Sequence, residues 1–162
     1  MIREVKIRKG TVDDLKEIKQ LFVETISSVC KHDYNSEQIE IWTSSTEDQN
    51  RWSNIILNQL VLIAIFERHI VGFATLMDSN HIDLFYVHKD YQGKKIAGML
   101  YAEIEKEALR EKQKVLSSNV SITAKHFFKR MGFKVIKRQT VLRKKVKFTN
   151  YKMKKELNES NG

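Results

Sequence analysis

The chain of 162 residues contains no proline. At average usage a chain this long would carry about 8, so Pro-rich linkers and polyproline segments are excluded. A single cysteine, Cys30, excludes an intrachain disulfide framework and any multi-cysteine zinc or iron–sulfur centre. The longest apolar run, residues 60–66, falls far short of the roughly 20 residues that span a bilayer. The opening decapeptide MIREVKIRKG lacks the apolar core of a secretory signal. These absences predict a reduced, cytoplasmic protein with no membrane segment. The length fits one domain, taken as residues 1–157, followed by a flexible tail at 158–162.

Acid is the other shortage, and it is local. Residues 125–155 hold 13 Lys and Arg and not one Asp or Glu, whereas residues 1–124 hold 16 basic against 18 acidic residues. The net charge of +9 therefore belongs to one stretch. Such a stretch attracts the phosphates of a cofactor or of nucleic acid, or it is simply a solvated face. Its aromatics, among them Phe127, Phe128 and Phe133, fall at expected core positions and do not form a stacking platform.

Periodicity divides the remainder. Residues 5–8 alternate as a short strand. Leu15, Ile18, Leu21, Phe22 and Ile26 keep helical spacing, which predicts a helix over 12–29. Ser36 is read as the cap of a second helix, on which Tyr34, Gln38 and Trp42 recur at intervals of four. A third helix is expected over 46–58. Residues 60–66 and 70–77 read as a β-hairpin, and Asp78-Ser79-Asn80 as a turn. In the strand at 81–88, alternation places His81, Asp83, Phe85 and Val87 on one face. A long helix over 93–112 would bury Met99, Leu100, Ile104 and Leu109. A strand at 115–120, a helix at 121–131 stopped by Gly132, and a closing pair at 133–141 and 146–153 complete the order β-α-α-α-β-β-β-α-β-α-β-β.

The most informative segment is the turn Tyr91-Gln-Gly-Lys-Lys-Ile-Ala-Gly98 between a strand and a helix. Small residues admit a ligand to the backbone, and a helix N-terminus offers free N–H groups and positive dipole. Together they suit a pyrophosphate. His32, His81 and His88 lack metal-ligand spacing, and no metal is expected.

The turn resembles the Q/R-x-x-G-x-G/A acetyl-CoA signature of the GNAT-superfamily N-acetyltransferases. Gln92 matches its first position and Ala97 its last, while Lys95 replaces the central glycine. Ser121-Ile-Thr-Ala-Lys-His-Phe-Phe-Lys-Arg-Met-Gly-Phe133 resembles the family's second landmark, V-G-F-A-T at 71–75 its central strand, and the element order also matches. A narrower resemblance is to a bacterial subgroup with a Y-x-x-E-Q-x-x-x-W segment (here from Tyr34 to Trp42), S-I-T-A-x-x-F-F, and a terminal Q-T-V…N-Y-x-M run (here at 139–141 and 150–153).

The resemblance implies an α/β (α+β) fold, with a mixed, mostly antiparallel central sheet flanked by helices on both faces. It implies acetyl-CoA as co-substrate. Phe85, Tyr86 and Val87 would meet the acetyl and pantetheine arm, and Gln92, Gly93, Lys94, Lys95, Ile96, Ala97 and Gly98 the pyrophosphate. Ser121 falls where relatives bind pantetheine, and Lys125 and Lys129 near the adenosine phosphate. Phe128 belongs to the same cofactor wall and stands where many relatives carry a proton-donating tyrosine. His81 occupies a position where some relatives have a catalytic glutamate, and its ordinary pKa near 6.5 suits a base; Asp83 would orient it or bind the amine. Tyr34, Gln38 and Trp42 would line the acceptor side. The expected acceptor is a primary amine on a small molecule or peptide. The rival reading is a non-catalytic module that binds CoA or nucleic acid. A homodimer is compatible with either.

Overall fold

The computed structural model describes residues 4–158; beyond Asn158, the expected flexible tail lies outside the described residues. Short polar side chains set the first three helices. Strand β1 (Lys6–Lys9) leads through a 3-10 turn at Val12–Asp14 into α1 (Leu15–Ser28). The Thr11 N–H donates to Asp14 Oδ2 at 2.8 Å, and Arg8 donates to both Asp14 oxygens at 2.9 Å. Helix α2 (Ser36–Ser44) opens one residue earlier than Ser36 would cap it. Asn35 Oδ1 accepts from the Gln38 N–H and Gln38 Oε1 from the Asn35 N–H, both at 2.8 Å, a reciprocal box that a serine at the first helical position cannot make. Helix α3 (Gln49–Asn58) is capped by Asp48, so it starts later than 46, with Ser45–Glu47 forming a separate 3-10 turn.

The middle of the chain changes period and becomes sheet. Strands β2 (Leu60–Phe66), β3 (His69–Met77) and β4 (His81–Val87) form consecutive antiparallel pairs. Glu67 and Arg68 make the first turn at φ 49° and 71°. Both central residues are left-handed, which matches the twist of a two-residue hairpin. Helix α4 (Ile96–Arg110), β5 (Val115–Ser121), α5 (Lys125–Arg130), β6 (Lys134–Arg143) and β7 (Val146–Glu156) complete the chain. The seven strands form one sheet in the order β1-β2-β3-β4-β5-β7-β6, antiparallel except at β4–β5. The element order and sheet type agree with the expectation from sequence.

Two further helices differ in their bounds from the periodicity. Helix α4 begins at Ile96, because Lys95 is left-handed (φ 66°) and cannot continue a helix backwards. Its buried stripe is Ile96, Leu100, Tyr101, Ile104 and Ala108; Met99 is exposed and Leu109 only half-buried. Helix α5 is confined to residues 125–130, since Ser121 ends β5 and accepts the Ala124 N–H across a turn. Gly132 does end the helix, at φ 97°.

Each face of the sheet carries its own core. Helix α4, Phe128 and Phe133 pack on Leu62, Ala74, Leu76, Ile82 and Val87. On the other face, α1 and α3 place Ile18, Phe22, Ile26 and Trp52 against Ile63, Phe73, Leu84 and Phe148.

Strand β4 does not keep the alternation expected of it. Leu76 pairs with Ile82 and Thr75 with Leu84, leaving Asp83 as an extra residue. The bulge moves the face by one position. Ile82, Phe85 and Val87 point to the α4 side, whereas Leu84 and Tyr86 point to the α1 side. His81 and Asp83 therefore do not share a face with Phe85 and Val87. The Thr75 hydroxyl accepts the Leu84 N–H at 3.0 Å, satisfying an amide beside the bulge.

Beyond the bulge, β4 also leaves β5. The two parallel strands pair only at His81–Ser117 and Ile82–Ser118, and the buried Ser118 hydroxyl donates to Ile82 O at 2.8 Å as the last tie. From there the sheet opens as a wedge. On the other side of β4, helix α4 is held close to β3 at Gly72. A Cβ built there would lie 3.1 Å from both Ile96 and Leu100 and 3.3 Å from the Tyr86 carbonyl. Gly72→Val is expected to lower the unfolding free energy by about 1–3 kcal/mol through overpacking, measured by urea unfolding. An unchanged midpoint would show that α4 can shift freely on the sheet.

Candidate active site

The wedge between β4 and β5 contains a cavity of approximately 320 Å³. Phe85, Ser121, Ala124 and Phe128 line it from the α4–α5 side; Phe22, Tyr34, Trp42, Trp52 and Phe148 line it from the α1–α3 side. One cavity thus reaches both faces of the sheet through the gap that the unpaired strands leave. Its size suits a small ligand or the end of a larger one.

His81 and Asp83 both stand in its wall. His81 Nδ1 lies 2.8 Å from the Ser117 hydroxyl. Burial lowers the imidazole pKa, while the charges of Asp83 and Asp78 oppose that shift. Neutral imidazole is the form able to accept a proton. Asp83 makes no hydrogen bond to His81. Its Oδ1 and Oδ2 receive Arg51 at 3.3 and 3.4 Å, and Oδ2 also receives Gln59 Nε2 at 2.8 Å. Its nearness keeps His81 easier to protonate than burial alone would allow.

Of the three residues expected on the acceptor side, two reach the cavity. The Tyr34 hydroxyl donates to Thr149 O at 2.7 Å and accepts the Ile122 N–H at 3.0 Å. Burial pushes its pKa up to about 12, so it acts as a brace between β7 and the turn after β5. The Trp42 ring stands 5.1 Å from the Tyr34 ring. Gln38 does not line the cavity: its side chain is spent on the α2 cap and on Lys147 O at 2.8 Å. Cys30 is buried and its thiol is pushed up to about 11, which makes it an inert core residue.

On the other face, Phe128 is buried and its ring lies 5.8 Å from Phe85. The turn after β4 is exposed from Gln92 to Lys95. Gln92 Nε2 donates to Val87 O at 2.6 Å, which ties the turn to the end of β4. Gly93 (φ 72°) and Lys95 (φ 66°) are both left-handed. That geometry brings Lys94 and Lys95 to the start of α4, where the first N–H groups lack intrahelical partners. Lys125 rests 4.1 Å above the Tyr151 ring, and Lys129 is exposed.

Other wall residues carried no signal of their own in the sequence. Arg51 and Arg143 reach the cavity from distant elements and belong to no local pattern. Gln139 and Asn150 occur in the terminal Q-T-V…N-Y-x-M run, where spacing gave them no role. Here Gln139 Nε2 donates to Asn119 Oδ1 at 3.2 Å and Asn150 Oδ1 at 3.0 Å, joining β5, β6 and β7.

An NMR titration of His81 is expected to give a midpoint below the ordinary histidine value, and Asp83→Asn should lower it further. The linked stability is present above the unfolded pKa of about 6.5 and is lost as pH falls through the folded pKa. A midpoint that rises in Asp83→Asn would contradict this electrostatic arrangement. Separately, Lys95→Gly is expected to raise stability by about 1 kcal/mol by relieving a left-handed side chain, as read by chemical unfolding. A loss would mean that the lysine side chain offsets its backbone strain.

Residues 30–155 match the model of the acetyltransferase (GNAT) domain family. The uncharacterised N-acetyltransferase YafP of Escherichia coli K12 is 28% identical over 153 residues, covering 94% of this chain and 97% of its own. A crystal structure of a GCN5-related N-acetyltransferase from Rhodopseudomonas palustris superposes with a TM-score of 0.91 at 32% identity, over 97% of this chain and 99% of that one. The PaiA N-acetyltransferase of Thermoplasma acidophilum, solved in complex with coenzyme A, superposes at 0.78 with 21% identity, over 95% and 99% of the respective chains.

Proposed function

The chain belongs to the GNAT family of acetyltransferases, and from that premise we propose that it transfers the acetyl group of acetyl-CoA to a primary amine by direct attack in a ternary complex. The observation that carries this reading is the cavity that crosses the sheet. A thioester arm inserted from the α4–α5 side meets an amine arriving from the α1–α3 side, and the two come together beside β4.

The turn at 92–98 fits the pyrophosphate of this co-substrate. It combines two left-handed residues, two lysines and the N-terminus of the 15-residue helix α4. Phe85, Tyr86 and Val87 would run beside the acetyl and pantetheine arm along the edge of β4 that β5 abandons. Ser121 and Phe128 would form the opposite wall. A backbone N–H of β4 would then stabilise the developing oxyanion.

His81 is the proposed general base. It takes the proton from the attacking nitrogen, directly or through one water. The nitrogen forms a bond to the thioester carbonyl carbon, and the C–S bond breaks as the tetrahedral intermediate collapses. The leaving group is a thiolate, a much weaker base than an amide ion or alkoxide, so it departs without a strong acid. This suits a site in which Phe128 has no proton to give. Asp83, already balanced by Arg51, would tune His81 through its charge.

Acetyl-CoA at 100 times its dissociation constant is expected to add about 2.7 kcal/mol to stability, with thiol release that depends on added amine. His81→Ala should lower kcat by about 10²- to 10⁴-fold while the thermal shift with acetyl-CoA persists. No thermal shift at millimolar acetyl-CoA would overturn the co-substrate reading. Undiminished turnover in His81→Ala would remove the base.

A further inference from the structure

The acceptor half of the cavity has an uneven charge. Asp83 is held by Arg51, so that pair is balanced. Arg143 also lines the cavity, yet among the described residues it forms no ion pair, and the stretch around it contains no acid. Burial pushes the Tyr86 hydroxyl far above its ordinary pKa; the Arg143 charge opposes that shift and the Asp83 charge adds to it. Arg143, an exposed side chain at the end of β6, and Asp83 on β4 both line this one cavity together with Tyr86.

Aromatic rings form the part of the wall around Tyr86. Trp42 stands edge-on to Tyr34 at 5.1 Å and to Tyr86 at 6.5 Å, and Phe22 meets Tyr86 at 5.0 Å. Arg143 ends β6, and β5 and β7 separate that strand from β4. The arginine side chain reaches back from there to the cavity wall. The adjacent turn is tied down by Lys144 Nζ, which donates to Ser44 Oγ on α2 at 3.3 Å.

Resting on the reading of this cavity as the amine site of an acetyl transfer, we propose that the acceptor carries a carboxylate at the end remote from its nitrogen, on a flat apolar body, and that Arg143 binds that carboxylate. A guanidinium is the side chain best matched to a carboxylate, which it grips with two parallel N–H bonds. An acceptor with a second cationic end meets Arg143 instead of an acid and is disfavoured. A neutral aryl amine fills the slot but leaves the guanidinium without a partner. The amine end still reaches His81, because the carboxylate anchors the far end of the molecule.

The test measures thiol release from acetyl-CoA with matched acceptors: 4-(aminomethyl)benzoate against benzylamine, 6-aminohexanoate against hexylamine, and spermidine as the cationic control. The carboxylates are expected to exceed their neutral partners in kcat/KM by about tenfold or more, mostly through KM, with the aryl pair ahead of the linear one. In Arg143→Ala the ratio within each pair should collapse towards one, and Arg143→Lys should restore part of it. Retention of the parent's acetyl-CoA thermal shift shows that the variants are folded. Equal rates within the pairs, a ratio that survives Arg143→Ala, or preference for spermidine would overturn the inference and leave acetyl transfer standing. Absence of thiol release with every amine, despite a thermal shift with acetyl-CoA, would instead overturn the transfer reading on which the inference rests.

Discussion

The parting of β4 from β5 after two paired residues is the constraint on which the rest of this structure depends. A sheet that stayed fully paired would present two separate faces, each sealed by its own core. The ladder instead stops at Ile82–Ser118, where a serine hydroxyl makes the final bond. The bulge at Asp83 works with this break. It turns Phe85 and Val87 to one core and Leu84 and Tyr86 to the other, so a single short strand supplies walls to both sides of the opening. Helix α4, packed closely on Gly72, fixes the turn at its start relative to the same strand.

Most polar groups around the opening are already committed. Tyr34 donates once and accepts once; Asp83 is shared by Arg51 and Gln59; Gln139 links two strands. Such groups shape the site more than they react in it. His81 differs because burial lowers its pKa and so favours the neutral ring, while its Nδ1 lies against the Ser117 hydroxyl. Arg143 differs because, among the described residues, it forms no ion pair. A site with few uncommitted groups is one in which chemistry and selectivity can be assigned to few residues.

Much of the fold was legible because its strands and helices are strongly periodic. The hairpins, the order of elements and the stop at Gly132 all follow from local pattern. What escaped had non-local or conformational causes. Lys95 looks like a good helix residue, but its left-handed backbone delays α4 to Ile96. The Asp83 bulge arises from pairing with β3, so alternation within β4 alone assigns the wrong faces. Gln38 has the right spacing for the cavity but is consumed by Asn35 and Lys147. Arg51 and Arg143 lie far apart in sequence, and only the tertiary fold brings them to one wall. The exposed turn at 92–95 before α4 could be seen early because its features are local: small residues, positive charge and the beginning of a helix.

A cavity lined from both faces of a sheet can be entered from two doorways. On the proposed reading, the thioester uses one and the amine the other, so neither reactant obstructs the other's arrival. The order in which they bind is then governed by affinity and concentration instead of by a blocked passage. The same geometry lets spent CoA and a fresh acceptor sit together in an idle complex. Abundant acceptor would therefore slow turnover without competing with acetyl-CoA for the same ground.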